Sequence, residues 1–137
     1  MTDFAIQHVN PPGLLKSPAF SQAIVVSGTA RTIYIGGQDA VDATGAVVGE
    51  GDIKAQTRHI LRNVQTILEA TGARQEDVIK WTIYLVAGTP IEPGYEAFQE
   101  VWGSRGEPPV ITAVYVAGLA RPEFLVEIDA VAVVPDA

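Results

Sequence analysis

Two acidic residues inside an apolar segment near the end of the chain are the strongest candidates for chemistry. Glu127 and Asp129 stand in the segment Val126-Glu127-Ile128-Asp129-Ala130. Alternate residues of a strand point to opposite faces, so both carboxylates are predicted to share one face. A carboxylate in apolar surroundings is costly unless it is hydrogen-bonded or paired. In the structural interpretation, such a carboxylate forms a salt bridge or lies on a solvated stretch of strand. In the functional interpretation, it lines a cleft, where it positions water or transfers a proton. The residues alone leave both interpretations open.

The rest of the chain offers few other groups for catalysis. It has no cysteine, which excludes disulfides and thiolate nucleophiles. His8 and His59 are the only imidazoles. We predict that His59 lies on the solvated side of a helix and that His8 is a surface or cap residue. No histidine and acid spacing matches a metal site, so neither a metal nor a cofactor is expected.

Two adjacent glycines follow a predicted strand, in the segment Gly36-Gly37-Gln38. The segment lacks the GxGxxG and GxxxxGK[ST] spacings, so it does not predict a phosphate-binding loop. Glycine at this point instead indicates that another group approaches the backbone closely.

The elements that must position these residues follow the order strands, helix, strand, helix, two strands. The clearest is a helix over about 52–71, whose apolar residues recur at three- and four-residue steps. Asp52 suits its N-cap, and Gly72 suits the left-handed position after its end. A second helix is predicted over 93–102. Strands are predicted over 4–9, 22–26, 32–35, 78–86, 110–117 and 124–134, with a hairpin across the turn at 27–29.

This order favours one α+β domain over residues 1–137, with two helices on one face of a sheet of five or six strands. The strand at 110–117 is apolar on both faces, which is unusual for a sheet with one solvated face. We therefore expect the uncovered face to meet another copy of the chain. The alternative is that a long N-terminal loop covers this face.

Length, composition and charge exclude several classes of protein. The 137 residues favour one domain, and an apolar content of 47% excludes a disordered chain. A net charge of -7 argues against binding to nucleic acid or to an anionic membrane surface. No apolar run approaches the roughly 20 residues that span a bilayer. With no leader-like pattern at the start of the sequence, a cytoplasmic protein is expected.

Taken in order, the motifs resemble those of the RidA family, also called YjgF. The segment Ser17-Pro18-Ala19-Phe20-Ser21-Gln22-Ala23 is similar to the family's Gly-Pro-Tyr-Ser-Gln-Ala loop, with one extra residue. Gly36-Gly37-Gln38 is similar to its Ser-Gly-Gln. The segments 56–80, 95–98 and 127–132 resemble its first helix with the following strand, its second helix and its last strand. The resemblance covers nearly the whole chain.

The resemblance implies a chorismate-mutase-like fold, in which a mixed sheet is backed by two helices. It also implies a homotrimer with small-molecule clefts between subunits. Enzymes of the family hydrolyse reactive enamines and imines derived from amino acids, giving a keto acid and ammonia. In them an arginine on the next-to-last strand holds the substrate carboxylate and a glutamate on the last strand handles water. A backbone glycine assists, and a tyrosine closes the pocket.

Only some of these positions keep the residue of the family. Glu127 stands at the glutamate and Gly37 at the glycine, which makes Glu127 the candidate catalytic residue. The other candidate substrate-binding residues differ from the family's. Phe20 replaces the tyrosine, Ile111 replaces the arginine, and Glu92 replaces an asparagine ahead of the second-helix tyrosine.

The isoleucine at position 111 has the largest expected consequence. An arginine holds a carboxylate through two charge-assisted hydrogen bonds. Each contributes about 1.5–3 kcal/mol, so losing one lowers affinity on the order of 10–100-fold. A cleft with Ile111, Ala113 and Phe20 beside Glu127 should repel a small carboxylate. Weak or no activity on 2-imino acids is therefore expected, unless Arg105 or Arg121 reaches in from a loop or a neighbouring subunit.

Two functions remain open from the sequence. The first is hydrolysis of a neutral or differently anchored imine or enamine, with Glu127 as the acid–base group. The second is a trimer that binds a small ligand without turnover. Nucleic-acid cleavage, a third activity attached to the family by name, fits the acidic charge poorly.

Overall fold

The computed structural model describes residues 3–103 and 106–136. Within these ranges the chain forms six strands, two α-helices and one short 3-10 helix (Gln75–Asp77). The elements are β1 (Ala5–Val9), β2 (Ala23–Ser27), β3 (Ala30–Gln38), α1 (Ile53–Ala70), β4 (Val78–Val86), α2 (Glu92–Trp102), β5 (Val110–Val116) and β6 (Val126–Pro135). No helix in the described ranges has both the length and the apolar character needed to cross a membrane.

Four of the strands form one mixed sheet in the order β3-β6-β4-β5. The last strand, β6, runs antiparallel to both of its neighbours, and β5 runs parallel to β4. The predicted α+β class, with two helices on a mixed sheet, is confirmed. Because β6 is an inner strand, Glu127 and Asp129 lie in the middle of the sheet, where neighbouring strands flank them on both sides.

The sequence predicted one continuous sheet of five or six strands. The six strands instead form two sheets, one of four strands and one of two. Strands β1 and β2 pair with each other as a separate antiparallel pair, and β3 pairs with β6. The predicted hairpin across the turn at 27–29 is therefore wrong. In its place beside β6, strand β3 buries Ile33 and Ile35, which are only 8% and 4% exposed. Pairing with β2 would not bury them as well, because β2 is short and mostly exposed.

The first helix forms where the periodic pattern predicts it. Asp52 caps α1 by accepting a hydrogen bond from the Ala55 amide at 3.1 Å, and Gly72 follows with a φ of +78°. The buried side chains of α1 pack on the sheet, each stabilising the fold by about 1.5–3 kcal/mol. The fully buried apolar ones are Ile60, Leu61, Val64 and Leu68.

A cluster of aromatic rings fixes the second helix on the sheet. Trp81 of β4 is buried, and its ring makes edge contacts with Phe98 at 5.4 Å and with Trp102 at 4.6 Å between centroids. Both partners belong to α2. Since Trp81 pairs with Ile111 of β5, the cluster places α2 close to the residue that replaces the family arginine.

Gln56 is a fully buried polar side chain that ties α1 to the chain before β6. Its Nε2 donates to the carbonyls of Gly49 at 3.1 Å and Glu123 at 2.9 Å. Its Oε1 accepts from the amide of Leu125 at 2.9 Å. Three backbone groups therefore depend on this one side chain.

We expect Gln56→Ala to lower the free energy of unfolding by about 2–4 kcal/mol. Each buried polar group left without a hydrogen bond costs about 1–3 kcal/mol, and water that enters the space can bond some of these groups. Urea denaturation measures this loss. Gln65→Ala is the control on the same helix, since Gln65 bonds Glu69 on the surface; it should change stability by less than about 0.5 kcal/mol. Equal losses for the two variants would contradict the stabilising role of the buried Gln56 side chain.

Candidate functional site

The residues that the sequence singles out divide between the two faces of the sheet. Ile111 and Ala113 pair with Trp81 and Ile83 and therefore lie on the face that the helices cover. Glu127 pairs with Tyr84 and lies on the other face. Within one chain, Glu127 and Ile111 do not line the same pocket.

An apolar cavity of about 320 Å³ lies on the helix-covered face, between α2 and the strands. Three of the predicted substrate-binding residues line it, namely Phe20, Ile111 and Ala113. The aromatic side chains of Tyr95 and Phe98 add to its wall. Among the described residues, none of the lining side chains carries a charge. The cavity therefore offers contacts for an apolar or neutral group, in the size range of small-ligand sites.

The polar groups of this cavity belong to residues other than Glu92. Glu92 is exposed at the start of α2 and is not among the lining residues. One and two turns further along the helix, Tyr95 and Gln99 do line the cavity, and Gln99 donates to the Tyr95 hydroxyl at 3.0 Å. The helical spacing of Tyr95 was visible in the sequence, but the direction it faces was not.

Gly37 and the Glu127 carboxylate lie side by side on the opposite face. A Cβ atom at position 37 would lie 2.8 Å from Cδ of Glu127, too close for a real contact. The β3 register on β6 shifts between Ile35 and Gln38, and such a bulge leaves backbone groups outside the regular ladder. A side chain at position 37 would therefore displace the Glu127 carboxylate from its place beside the Gly37 backbone.

Asp39 is a site residue that sequence reasoning missed. The pKa of its carboxyl is raised to about 7. Burial is the main cause, followed by hydrogen bonding with Glu127 and the negative charge of Glu127, whereas the positive charge of Arg121 opposes the shift. The only signal in the sequence was an acid directly after the Gly-Gly-Gln segment.

Asp129 has a different partner from Glu127, although both lie on the same face. The hydroxyl of Tyr84 donates to Asp129 at 3.2 Å, and the charge of Asp129 raises the pKa of Tyr84. This hydrogen bond satisfies part of the hydrogen-bonding capacity of Asp129. In the described part of the chain, no group of three or more His, Asp and Glu is placed to hold a metal ion.

The two histidines join segments of the chain. His59 is half-buried, and its Nε2 lies 2.7 Å from the carbonyl oxygen of Val41. The predicted solvated position is wrong because the loop after β3 folds back over α1. His8 Nδ1 lies 2.8 Å from the Ser21 hydroxyl, which links β1 to the segment before β2. Neither histidine lines the apolar cavity.

Of the two arginines that could replace the family's cation, one is engaged elsewhere in its own chain. Arg121 donates to the carbonyl of Gly45 at 2.8 Å and lies over the ring of Phe124, 5.4 Å from its centroid. It does not line the apolar cavity. Arg105 lies outside the described residues.

Comparison with known proteins gives consistent matches in sequence and in structure. Residues 14–134 match the family model described as Endoribonuclease L-PSP. A RutC family protein of Pyrococcus horikoshii is 37% identical over 113 residues, which are 82% of this chain and 85% of that protein.

Two solved structures show the same fold. A Rid family protein of unknown function from Yersinia pestis is 34% identical, with a TM-score of 0.79 over 93% of this chain and 97% of that one. A putative endoribonuclease from Thermotoga maritima is 33% identical, with a TM-score of 0.67 over 82% and 84% of the two chains.

Proposed function

Because the chain belongs to the YjgF/RidA family, we propose that it is a homotrimeric hydrolase of small imines or enamines that carry no carboxylate. The observation that carries this proposal is the uncharged cavity at Ile111, where enzymes of the family have an arginine. An apolar wall stabilises neutral groups and gives a carboxylate no partner for its charge.

The position of the site residues supports an assembly of several copies. Glu127 and the cavity at Ile111 lie on opposite faces of one sheet, so one substrate reaches both only where two copies meet. The face that carries Glu127 also exposes apolar surface, with Tyr34 at 81% and Val114 at 39% exposure. Exposed apolar surface of this kind favours a protein interface. The resemblance implies a trimer with clefts between its subunits.

The proposed reaction needs only water and one acid–base group. Glu127 takes a proton from a water molecule whose oxygen adds to the imine carbon, and the proton passes to the nitrogen. The carbinolamine then breaks its carbon–nitrogen bond, its hydroxyl proton returns through Glu127 to the departing nitrogen, and ammonia leaves. The products are a carbonyl compound and ammonia, so the atoms of imine and water balance.

We expect the protein to hydrolyse an uncharged imine faster than 2-iminobutanoate, by on the order of 10–100-fold in kcat/KM, because no guanidinium lines the described part of the cavity to bind the carboxylate of the latter. Ammonia release from both substrates, each generated in solution, measures the ratio. Light scattering after size exclusion measures the number of subunits. Equal values for the two substrates, or a faster rate on 2-iminobutanoate, would refute the proposed substrate class.

The second candidate is a trimer that binds a small neutral ligand without turnover. It is favoured by the same uncharged cavity, whose described lining contains no Asp, Glu, His or Lys. Binding of neutral ligands with no ammonia release from any imine would support this candidate over hydrolysis.

A further inference from the structure

We propose that Asp39 is a positioning residue for Glu127, whose protonated carboxyl donates a hydrogen bond to Glu127 and fixes that carboxylate against the backbone of Gly37. The pair then acts as one acid–base unit that holds a single proton. This inference rests on the proposed role of Glu127 in hydrolysis, and it adds a residue for which the family resemblance gave no role.

The local geometry brings the two carboxyls together from different elements. Asp39 directly follows β3, and Glu127 lies on β6 next to it. The Glu127 carboxylate lies in the space that a side chain at position 37 would fill. The antiparallel register, in which Gln38 pairs with Ile128, brings Asp39 alongside Glu127. Two carboxyls at hydrogen-bond distance hold together only when one of them carries a proton, because two anions repel.

The surroundings of Asp39 favour the protonated form on this member of the pair. Its Oδ1 is buried and has no hydrogen-bond partner among the described residues. Burial and Glu127 raise its pKa to about 7, so near neutrality it still carries the proton in about half of the molecules.

The other groups around Asp39 do not remove this preference. Arg121 acts on it from the segment before β6 and lowers its pKa, but less than burial and Glu127 raise it. From α1, Asn63 reaches the Asp39 backbone carbonyl at 3.5 Å, and His59 bonds the carbonyl of Val41. On β4, Tyr84 donates to Asp129.

A shared proton at this place has a consequence for hydrolysis. Below pH 7 the Asp39 carboxyl is protonated and keeps one oxygen of Glu127 occupied, which leaves the other free to accept from water. Above pH 7 Asp39 ionises, the hydrogen bond is lost and the two carboxylates repel each other. We therefore expect kcat to fall as the pH rises through about 7.

The direct test follows the Asp39 carboxyl carbon by NMR in protein labelled with ¹³C at aspartate side chains, from pH 4 to pH 9. The signal is assigned by its loss in Asp39→Asn. We expect a midpoint near 7 in the wild type and a lower midpoint in Glu127→Gln, where the negative charge is gone. A wild-type midpoint near the ordinary value of about 4, or the same midpoint near 7 in both proteins, would overturn the pairing.

A kinetic test separates positioning from a merely structural role. In Asp39→Asn the amide donates to Glu127 at every pH, so kcat should lose its fall above pH 7 while KM stays unchanged. Asp129→Asn is the matched control and should keep the wild-type pH profile. A fall above pH 7 that persists in Asp39→Asn would overturn the positioning role. If no imine is hydrolysed by the wild type, the hydrolase proposal fails, while the NMR midpoints still decide whether the pair shares a proton.

Discussion

Glu127→Gln is expected to lower kcat for the preferred imine by about 100- to 10,000-fold, the usual contribution of a positioned acid–base group. The amide has the size of the carboxylate but cannot accept a proton from water at neutral pH. Because the amide has the same size as the carboxylate, the substitution should change the contacts with the substrate little, and KM should stay nearly unchanged. Steady-state ammonia release at saturating substrate measures the loss.

The control for this variant is Asp129→Asn, which removes the neighbouring carboxylate on the same strand face. Asp129 is bonded to Tyr84 rather than placed against Gly37, so kcat should change by less than about threefold. Thermal unfolding and light scattering show whether either variant stays folded with the subunit number of the wild type. If Glu127→Gln keeps its activity but lowers the melting temperature or the number of subunits, Glu127 is structural and the hydrolase proposal is wrong.

Ile111→Arg is expected to raise kcat/KM for 2-iminobutanoate by about 10–100-fold, the value of one or two hydrogen bonds between a guanidinium and a carboxylate. Ile111 lines the cavity and is partly exposed. An arginine there can keep its apolar stem on the cavity wall and its charged end in water. Rates on the uncharged imine should fall or stay level.

Ile111→Met provides the matched control, because it lengthens the side chain without adding a charge. It should leave the ratio of the two substrates unchanged. An equal gain in Ile111→Met and Ile111→Arg would mean that side-chain shape rather than charge limits the reaction. No gain in either would mean that position 111 does not face the substrate.

Local features of the fold were predictable from the sequence because they depend on residues close together in the chain. The bounds of α1 follow from the spacing of its apolar residues and from the residues at its two ends. Asp52 accepts a hydrogen bond from a backbone amide of the first turn, and Gly72 adopts the left-handed backbone conformation that ends the helix. The alternation along β6 likewise separated Glu127 from the buried Ile128. Periodicity of this kind needs no knowledge of the partner element.

Strand pairing was beyond such local signals. The turn at 27–29 suggested a hairpin, yet β3 pairs with β6, about a hundred residues later, and β2 pairs with β1. Several strands of similar composition offer equivalent edges. The choice among them depends on how much apolar surface each arrangement buries under the two helices.

For the candidate site, too, the sequence determined some features and the tertiary structure determined others. The residue types at Glu127, Gly37 and Ile111, and hence a retained acid with no arginine, came from the sequence alone. That Glu127 and Ile111 face opposite sides, that Asp39 lies beside Glu127, and that Arg121 is bound to Gly45 came from the tertiary structure. Chemical identity belongs to each residue, whereas proximity and burial depend on how distant segments pack, and burial is what raises the pKa of Asp39.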